Sequence, residues 1–331
     1  MQTEITIIGA GMAGLACARR LARAGHTPLL LDKGRGIGGR MATRRVKLAG
    51  GEVSFDHGAQ YLTARDPGFA AELRELGPAC AAWDDGASLP RLVGVPGMSG
   101  LPRAMAVGLD VQLDRQVTAV RAVRNGWELD LGEARIETRH LVMTVPAPQA
   151  AALLGAEHCL YPHIAGVVMA PCLTLMAAFP ADAPRAFLSR TADAHALAWI
   201  AQDSSKPGRA AAVTTWVAQA SAEWSERHLE ETPDAIAAHM LPMLADAIGV
   251  APHLAVYAAA HRSARRSCAA TMGHCTSAAT GALAPASRRH GQAGPPSPTP
   301  SSHGPAASDE AARRHASCLA RLWPGITMQS C

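Results

Sequence analysis

The chain has 331 residues, of which 48% are hydrophobic and 18% are charged. This composition supplies a sizeable buried core and excludes a chain that is disordered throughout. The longest apolar runs, such as 29–31 and 150–154, fall far short of the roughly 20 residues that a membrane helix needs. No basic region with a long apolar stretch precedes Ile5, so we expect no secretory signal, no membrane partner and a cytoplasmic protein.

The net charge of +4 hides an asymmetry along the chain. Residues 262–331 hold eight Arg, no Lys and two acids, Asp309 and Glu310, which gives +6 there and leaves −2 for the rest. The body therefore gives no reason to expect a nucleic-acid partner. The chain has eight cysteines, and without a secretory signal we expect free thiols rather than a disulfide framework.

The first forty residues predict a strand, a helix and a second strand. Ile5–Ile8 is a short apolar run that ends at Gly9, as a buried parallel strand should. Met12–Ala24 has a helical pattern that stops at Gly25, and Leu29–Leu31 is a second buried strand. These elements make one βαβ unit.

A G-x-G-x-x-G pattern lies between the first strand and the helix, which indicates a dinucleotide site. Gly9 permits the tight turn, Gly11 lets the backbone approach a pyrophosphate, and Gly14 lets helix and strand pack closely. The helix N-terminus offers unpaired N–H groups to the phosphates. Asp32, after the second strand, can accept hydrogen bonds from ribose hydroxyls and disfavours NADP. NAD and FAD stay open, as does a turn of purely structural use.

A second glycine-dense segment follows at once. Residues 34–40 hold four glycines in seven positions and end in Arg40. They would give a second close backbone approach and a fixed positive charge, as a long flavin cofactor needs. The alternative is a flexible surface loop.

Further elements are predicted from hydrophobic periodicity and turn residues. We expect helices at Phe69–Leu76, Leu101–Val107 and Pro233–Ile248; short antiparallel strands at Val111–Leu113, Val117–Val123, Trp127–Leu131 and Ala134–Glu137; and further strands at Leu141–Val145, Leu173–Phe179, Leu197–Gln202 and Ala211–Val217.

Two motifs are specific enough to indicate a family. Residues 32–41 read DKGRGIGGRM and residues 56–61 read DHGAQY. With Pro96–Met98, Ala198–Ala201 and Ser205–Arg209, they closely resemble the bacterial renalase-like proteins of the amine-oxidase-like flavoprotein superfamily. The resemblance covers about residues 3–262.

The resemblance implies an α/β fold: a Rossmann-type FAD-binding domain with a parallel central sheet, and a second α+β substrate domain. The expected division is 1–82 and 97–158 for the FAD-binding domain, and 83–96 and 159–257 for the substrate domain. FAD would be held non-covalently, with Val117 offering backbone groups to adenine, and no metal is expected. The implied cofactor contacts are Gly9, Gly11, Met12, Ala13, Gly14, Asp32, Lys33, Gly39, Arg40, Met41, Gln60 and Val117, and the near-flavin candidates are Gln60, Tyr61 and Trp199.

By the same resemblance, the chain would oxidise a reduced nicotinamide dinucleotide and pass the electrons to oxygen. Alternatives are amine oxidation by the same flavin and a non-catalytic or defective dinucleotide-binding protein. Each residue taken from the resemblance also has an ordinary structural interpretation. Asp56 and His57 would cap a strand, Tyr61, Trp199 and Trp216 would be core aromatics, and 206–209 would be a turn with solvated charges.

After Arg262 the composition changes abruptly. Residues 262–331 contain no Val, one Ile, one aromatic and ten Ser, so we expect an irregular and mostly disordered segment. Cys268, His274 and Cys275 fit no standard zinc spacing. Relatives continue with an aromatic segment, a Gly-Asp motif near the flavin phosphates and a closing helix, which this chain lacks. We hypothesise a frameshift just after Arg262; a divergent native tail is the alternative.

Overall fold

The computed structural model describes residues 1–192, 195–209, 212–266 and 326–327. The expectation that the segment after Arg262 is mostly disordered falls outside these ranges, apart from the end of a strand at Arg266 and the two-residue strand at 326–327. The helices are α1 Met12–Arg23, α2 Pro67–Glu75, α3 Gly100–Met105, α4 Ala147–Leu154, α5 Tyr161–Ile164, α6 Ala222–Arg227 and α7 Pro233–Ile248. The strands are β1 Gln2–Ile8, β2 Leu29–Leu31, β3 Thr43–Leu48, β4 Gly51–Asp56, β5 Thr63–Ala64, β6 Cys80–Trp83, β7 Arg91–Gly94, β8 Asp110–Gln112, β9 Ala119–Val123, β10 Gly126–Asp130, β11 Arg135–Met143, β12 Met169–Phe179, β13 Ser189–Thr191, β14 Leu197–Gln202, β15 Thr214–Ala220, β16 Tyr257–Arg266 and β17 Ile326–Thr327.

A six-stranded sheet contains the N-terminal βαβ unit. Its order is β8-β2-β1-β11-β10-β9, and β8, β2, β1 and β11 run parallel. Ile7, Leu30 and Leu31 are fully buried, as the continuous apolar runs of parallel strands require. The predicted α/β fold with a parallel central sheet is confirmed.

The structure corrects three predicted strands in this sheet. Val111–Leu113 corresponds to β8, which pairs parallel with β2 rather than antiparallel. Ala134–Glu137 and Leu141–Val145 are parts of one strand, β11. The consecutive polar residues Arg139 and His140 between them are exposed. Two adjacent exposed polar side chains interrupt the apolar run as a loop would, so the hydrophobic pattern did not show that the strand is continuous.

A second sheet has the order β13-β14-β15-β12-β16 and is antiparallel. Its two faces are both covered. Leu173, Leu175 and Trp216 share a core with residues of α7, while Met176 and Val217 pack against Phe55 of β4. Alternation along β12 and β15 thus places α7 on one face and the β3–β4 hairpin on the other.

This packing brings distant parts of the chain together. The end of β4 carries Asp56, and the turn after β14 begins at Asp203. The helix predicted at Pro233–Ile248 is α7 with the same bounds, and the strand predicted at Leu197–Gln202 is β14. Among the described residues, no helix has the length and apolar character to cross a bilayer.

Candidate cofactor site and a buried charge cluster

The first glycine turn joins β1 to α1. Gly9 has φ +109°, and its N–H donates to the Leu31 carbonyl at 2.8 Å. A Cβ on Gly14 would lie 1.9 Å from the Gly9 carbonyl oxygen. The close approach of α1 to the end of β1 therefore requires a residue without a Cβ at this position. A Cβ on Gly11, in contrast, meets no protein atom within 4 Å. Open space therefore lies in front of the α1 N-terminus.

Asp32 links this turn to the second glycine segment through two hydrogen bonds. Its Oδ2 accepts a hydrogen bond from the Ala10 N–H at 2.7 Å, and its Oδ1 accepts one from the Gly34 N–H at 2.7 Å. A carboxylate oxygen can accept a second hydrogen bond, and Asp32 is partly exposed. Both oxygens thus keep capacity for the hydroxyl groups of a ribose.

The second glycine segment lies against the first. The Gly38 N–H donates to the Ala10 carbonyl at 3.0 Å, and Gly11 and Gly38 form a parallel bridge. Gly38 and Gly39 have φ +116° and +53°, a region that glycine adopts without strain. The backbone of this segment is thus bonded to the first turn, which favours a second close backbone approach over the alternative of a flexible surface loop.

A third segment extends the same surface. The Ala59 N–H donates to the Arg40 carbonyl at 2.9 Å, and a Cβ on Gly58 would lie 2.0 Å from that oxygen. Gln219 of β15 holds the Gly58 carbonyl at 2.7 Å. Backbone hydrogen bonds therefore join three separate segments, residues 9–14, 34–41 and 58–59. We call the surface that they form the glycine-lined crevice.

This geometry fits an elongated dinucleotide cofactor. Open space, unpaired N–H groups at a helix N-terminus and a carboxylate stand in the order that a pyrophosphate and a ribose need. Among the other residues implied by the resemblance, Ala13, Lys33 and Arg40 are exposed, whereas the side chains of Met12 and Met41 are buried. Only the backbone of the two methionines is available to a ligand.

Val117 lies beside this region. Its side chain is buried in an apolar cluster with Leu29 and Leu31, and the preceding loop is bonded to the Asp32 carbonyl through the Arg115 N–H at 2.9 Å. An adenine contact by Val117 thus depends on its backbone groups.

Tyr61 and Trp199 come together, as an aromatic pair with ring centroids 5.5 Å apart. The guanidinium carbon of Arg91 lies 4.3 Å from the centroid of Tyr61 and 4.8 Å from that of Trp199. Arg91 also forms an ion pair with Asp85, whose side chain is buried. A protein cation therefore already covers both rings. Trp216 is likewise buried, as are Tyr61 and Trp199, and it contacts Phe187.

Gln60 points to a different neighbourhood, the buried charge cluster of Asp56, Asp203, Lys206 and Arg209. Lys206 Nζ lies 2.6 Å from Asp203 Oδ1, 3.2 Å from Asp56 Oδ2 and 3.3 Å from Gln60 Oε1. Arg209 Nη2 lies 2.5 Å from Asp56 Oδ2. The four charged side chains are at most 2% exposed. Two cations and two carboxylates leave the cluster with no net charge.

The alternative interpretation of 206–209 as a turn with solvated charges is therefore wrong about the charges, which are buried, although residues 207–208 do form a turn. Lys206 and Arg209 enter the protein because Asp56 and Asp203 neutralise them there, and an unpaired buried charge is strongly unfavourable. Asp56 does not cap a strand either. Its Oδ1 accepts hydrogen bonds from the Thr43 hydroxyl at 2.7 Å and the Met98 N–H at 2.9 Å.

The two carboxylates titrate differently. Burial pushes the pKa of Asp56 upward, but Lys206, Arg209 and two hydrogen-bond donors outweigh burial, so its pKa lies below the ordinary value. Burial raises the pKa of Asp203, and the Asp56 charge adds to the increase. Asp56 is therefore the carboxylate that holds its negative charge most firmly.

His57 lies between this cluster and the crevice. Its ring contacts the His261 ring at a centroid distance of 4.1 Å, and its Nδ1 is buried without a hydrogen-bond partner. Burial lowers the pKa of His57 to about 4, with a further decrease from His261. Burial and Arg44 also lower the pKa of His261. Both rings are neutral at pH 7.

Sequence reasoning missed the roles of Asp203, Lys206, Arg209 and Arg91. About 150 residues separate Asp56 from its partners Lys206 and Arg209, so no local spacing reveals the cluster. The available signal was a Lys and an Arg three residues apart, shortly after an apolar strand. Such charges usually lie in solvent, and only the packing of the β3–β4 hairpin on the second sheet buries them.

Two family models match the chain. The one described as an NAD(P)-binding Rossmann-like domain covers residues 7–76. The one described as flavin containing amine oxidoreductase covers residues 79–262, more than half of the chain.

Among curated proteins, a flavin-containing monoamine oxidase by name, AofH of Mycobacterium tuberculosis, is 39% identical over 74 residues, 22% of this chain and 15% of the relative. A 15-cis-phytoene desaturase of Synechococcus elongatus is 50% identical over 39 residues, 12% of this chain and 8% of the relative. The matches thus span a small part of these relatives.

Solved structures share the fold over most of the chain. Cyclohexylamine oxidase of Brevibacterium oxydans superposes with a TM-score of 0.65 at 14% identity, covering 80% of this chain and 85% of that one. A protein described as a protoporphyrinogen oxidase, from Exiguobacterium, gives a TM-score of 0.63 at 12% identity, with 78% and 86% covered.

The expected oxidoreductase class and FAD cofactor are confirmed at the level of the family. These matches do not show the more specific resemblance to renalase-like proteins. From the βαβ unit, the glycine-lined crevice and the family model over residues 79–262, the chain belongs to the flavin containing amine oxidoreductases.

Proposed function

We propose that the chain is a renalase-like flavoprotein that oxidises a reduced nicotinamide-type small molecule, with oxygen as electron acceptor. The observation that carries the cofactor part is the open space in front of Gly11, bounded by backbone N–H groups and Asp32. The α1 N-terminus and residues 38–41 would hold the FAD pyrophosphate non-covalently, and Asp32 would bind the ribose. Gly58–Tyr61 would lie beside the flavin ring.

When bound, FAD supplies a two-electron acceptor that oxygen can reoxidise. The contribution of the protein is to shape and enclose the site. Lys206 holds the Gln60 amide oxygen at 3.3 Å and Asp56 at 3.2 Å, so the buried charge cluster fixes the orientation of the segment that begins at Gly58. Gln219 fixes the Gly58 carbonyl from the second sheet.

The substrate part of the proposal rests on Arg91. Amine oxidation by a flavoprotein usually requires open aromatic faces to receive the amine, and here a guanidinium covers Tyr61 and Trp199. A substrate ammonium group would meet a like charge at this position. A dihydropyridine carries no such charge on its reacting ring, and its oxidation by hydride transfer needs no protein base.

Amine oxidation is the second candidate. The aromatic pair itself favours it, because two rings 5.5 Å apart form two sides of a cation-binding site if Arg91 moves aside. The names of AofH and of cyclohexylamine oxidase point the same way for those proteins.

Anaerobic titration separates the two substrate classes. The absorption spectrum of freshly purified protein is expected to show flavin bands, and reduced nicotinamide dinucleotides, including isomers reduced at other ring positions, are expected to bleach them. Readmitted oxygen should restore the bands and yield peroxide. Bleaching by a primary or secondary amine, and not by any dihydronicotinamide, would overturn the substrate proposal in favour of amine oxidation. Colourless protein that takes up no FAD would overturn both.

The proposal also concerns the segment after Arg262. We infer that the composition change after Arg262 reflects a frameshift, which would remove a wall of the cofactor site and weaken FAD retention. Translation of the neighbouring reading frames of the gene should then reveal an aromatic, Gly-Asp-containing continuation. If no frame contains one, the segment is native. The division into an FAD-binding and a substrate domain, at the boundaries given above, is likewise a proposal.

A further inference from the structure

A cluster of two histidines and a glutamate lies outside the cofactor region. His228 follows α6 directly, Glu231 lies in the connection to α7, and His239 is on α7 itself. Each offers one ligand atom, and the three atoms lie within 4.8 Å of one another. Three separate local structures therefore aim metal-binding groups at one point.

The distances suit a small divalent cation. His228 Nδ1 lies 2.7 Å from Glu231 Oε1, and His239 Nε2 lies 3.6 Å from Glu231 Oε2. Zinc bonds of 2.0–2.1 Å in a tetrahedral arrangement place ligand atoms about 3.3 Å apart. The three ligand atoms, at most 4.8 Å apart, would have to change their separations by about 1–2 Å to reach that spacing.

The surroundings hold two of the three groups in place. The His228 ring stacks on Trp224 at 4.0 Å, and Trp224 is buried. The Glu231 carbonyl accepts a hydrogen bond from Arg262 at 3.1 Å. Glu231 Oε2 is shielded from solvent and has no hydrogen-bond donor, which is an unfavourable state for a carboxylate oxygen. A bound cation would satisfy it.

The local charge also favours a cation. Glu226, Glu230 and Asp234 flank the cluster in sequence. Arg227 is nearby, but its guanidinium lies 3.8 Å from the Glu223 carboxylate. The Arg262 guanidinium donates to the backbone carbonyl of Glu231 and not to its carboxylate.

We propose that His228, Glu231 and His239 bind Zn²⁺. Two imidazoles and one carboxylate are a donor set that zinc takes, with a fourth position left for water. The ion would tie α6, the connection and α7 together. The sequence analysis expected no metal and did not single out these residues, whose spacing H-x2-E-x7-H crosses from one helix to the next and matches no standard motif.

The test uses the purified full-length protein with its flavin and Zn²⁺ alone as the probe. Affinity is measured by competition against a chromophoric chelator, and unfolding temperature is followed with and without Zn²⁺. Wild type is expected to bind one ion more tightly than His239→Gln and Glu231→Gln, by at least the 10- to 100-fold that loss of an outer-shell partner costs. Zn²⁺ should raise the unfolding temperature of wild type and not of the two variants.

Controls separate this cluster from the other histidine and cysteine side chains of the chain. His253→Gln removes an exposed histidine elsewhere and should leave the affinity at the wild-type value. His239 is 56% exposed, so its loss should not disturb folding, and Glu231→Gln keeps the side-chain shape. If wild type and both variants bind Zn²⁺ equally, or if none binds it, the proposal is wrong and the His228–Glu231 contact is an ordinary hydrogen bond.

Discussion

The glycine-lined crevice and the buried charge cluster are neighbours that are built in opposite ways. The crevice consists of backbone from segments that follow each other closely in sequence, held by hydrogen bonds such as Gly38 N–H to Ala10 and Ala59 N–H to Arg40. The charge cluster consists of side chains about 150 residues apart. The crevice depends on the absence of a Cβ at glycines such as Gly14 and Gly58, and the cluster depends on four charges that are all present together.

This contrast predicts that the two regions respond differently to substitution. Loss of one charge should destabilise the whole protein, whereas a methyl group in the crevice should affect either packing or ligand binding, according to the position.

Lys206→Met is expected to lower the free energy of unfolding by about 3–5 kcal/mol, because it leaves the two buried carboxylates with a single cation. Urea denaturation measures the change. Lys47→Met, at an exposed position, serves as the control and should stay within about 0.5 kcal/mol of wild type. The double variant with Asp203→Asn restores neutrality and should recover part of the loss. A Lys206→Met protein as stable as the control would show that the cluster is hydrated and not truly buried.

His57 makes a pH-dependent contribution of about 3 kcal/mol, which corresponds to a pKa lowered from 6.5 to about 4. Since the folded state resists protonation, the contribution is complete above pH 6.5 and is lost as the pH falls toward 4. Denaturation midpoints across this range should therefore decrease more steeply for wild type than for His57→Gln.

Other groups titrate in the same range, so the difference between the two profiles is the informative quantity. His163→Gln, at an exposed site, should follow the wild-type profile. Parallel profiles for wild type and His57→Gln would contradict the buried, neutral state of this ring.

Gly14→Ala is expected to cost about 1–3 kcal/mol of stability, because its Cβ would lie 1.9 Å from the Gly9 carbonyl and α1 would have to shift away from β1. Thermal unfolding of the FAD-free protein measures this packing effect without a contribution from cofactor binding. An unchanged unfolding temperature would mean that helix and strand have room that the structure does not show.

Gly11→Ala should change stability by less than about 0.5 kcal/mol, since its Cβ meets no protein atom within 4 Å and its backbone is already extended. It should nevertheless weaken FAD binding at least tenfold, because the methyl group enters the space proposed for the pyrophosphate. Fluorescence titration of FAD into the apoprotein gives the affinity. Wild-type affinity in this variant would place the cofactor elsewhere.

The same contrast explains what the sequence could predict. The βαβ unit and the glycine turns are visible locally, since Gly9, Gly11 and Gly14 each have a separate geometric requirement within six residues. The helix at Pro233–Ile248 and the strand at Leu197–Gln202 were also predicted, because both have clear apolar periodicity between turn residues.

The charge cluster and the Arg91 contact with the aromatic pair could not be predicted in this way. A Lys or Arg in a turn has the same local sequence pattern whether its side chain is solvated or buried. Whether it is buried depends on a carboxylate from a distant part of the chain. Lys206 depends on Asp56, and Asp56 reaches it only because Phe55 packs its hairpin against the second sheet. Tertiary packing therefore supplied the information that local spacing lacked.

The position of Asp32 has a consequence for how a ligand enters. Because its two oxygens already hold Ala10 and Gly34, both turns are ordered by folding and not by the ligand. Binding therefore does not have to order these turns, and it loses no conformational entropy there. For an elongated nucleotide, more of the free energy of its contacts would then contribute to affinity.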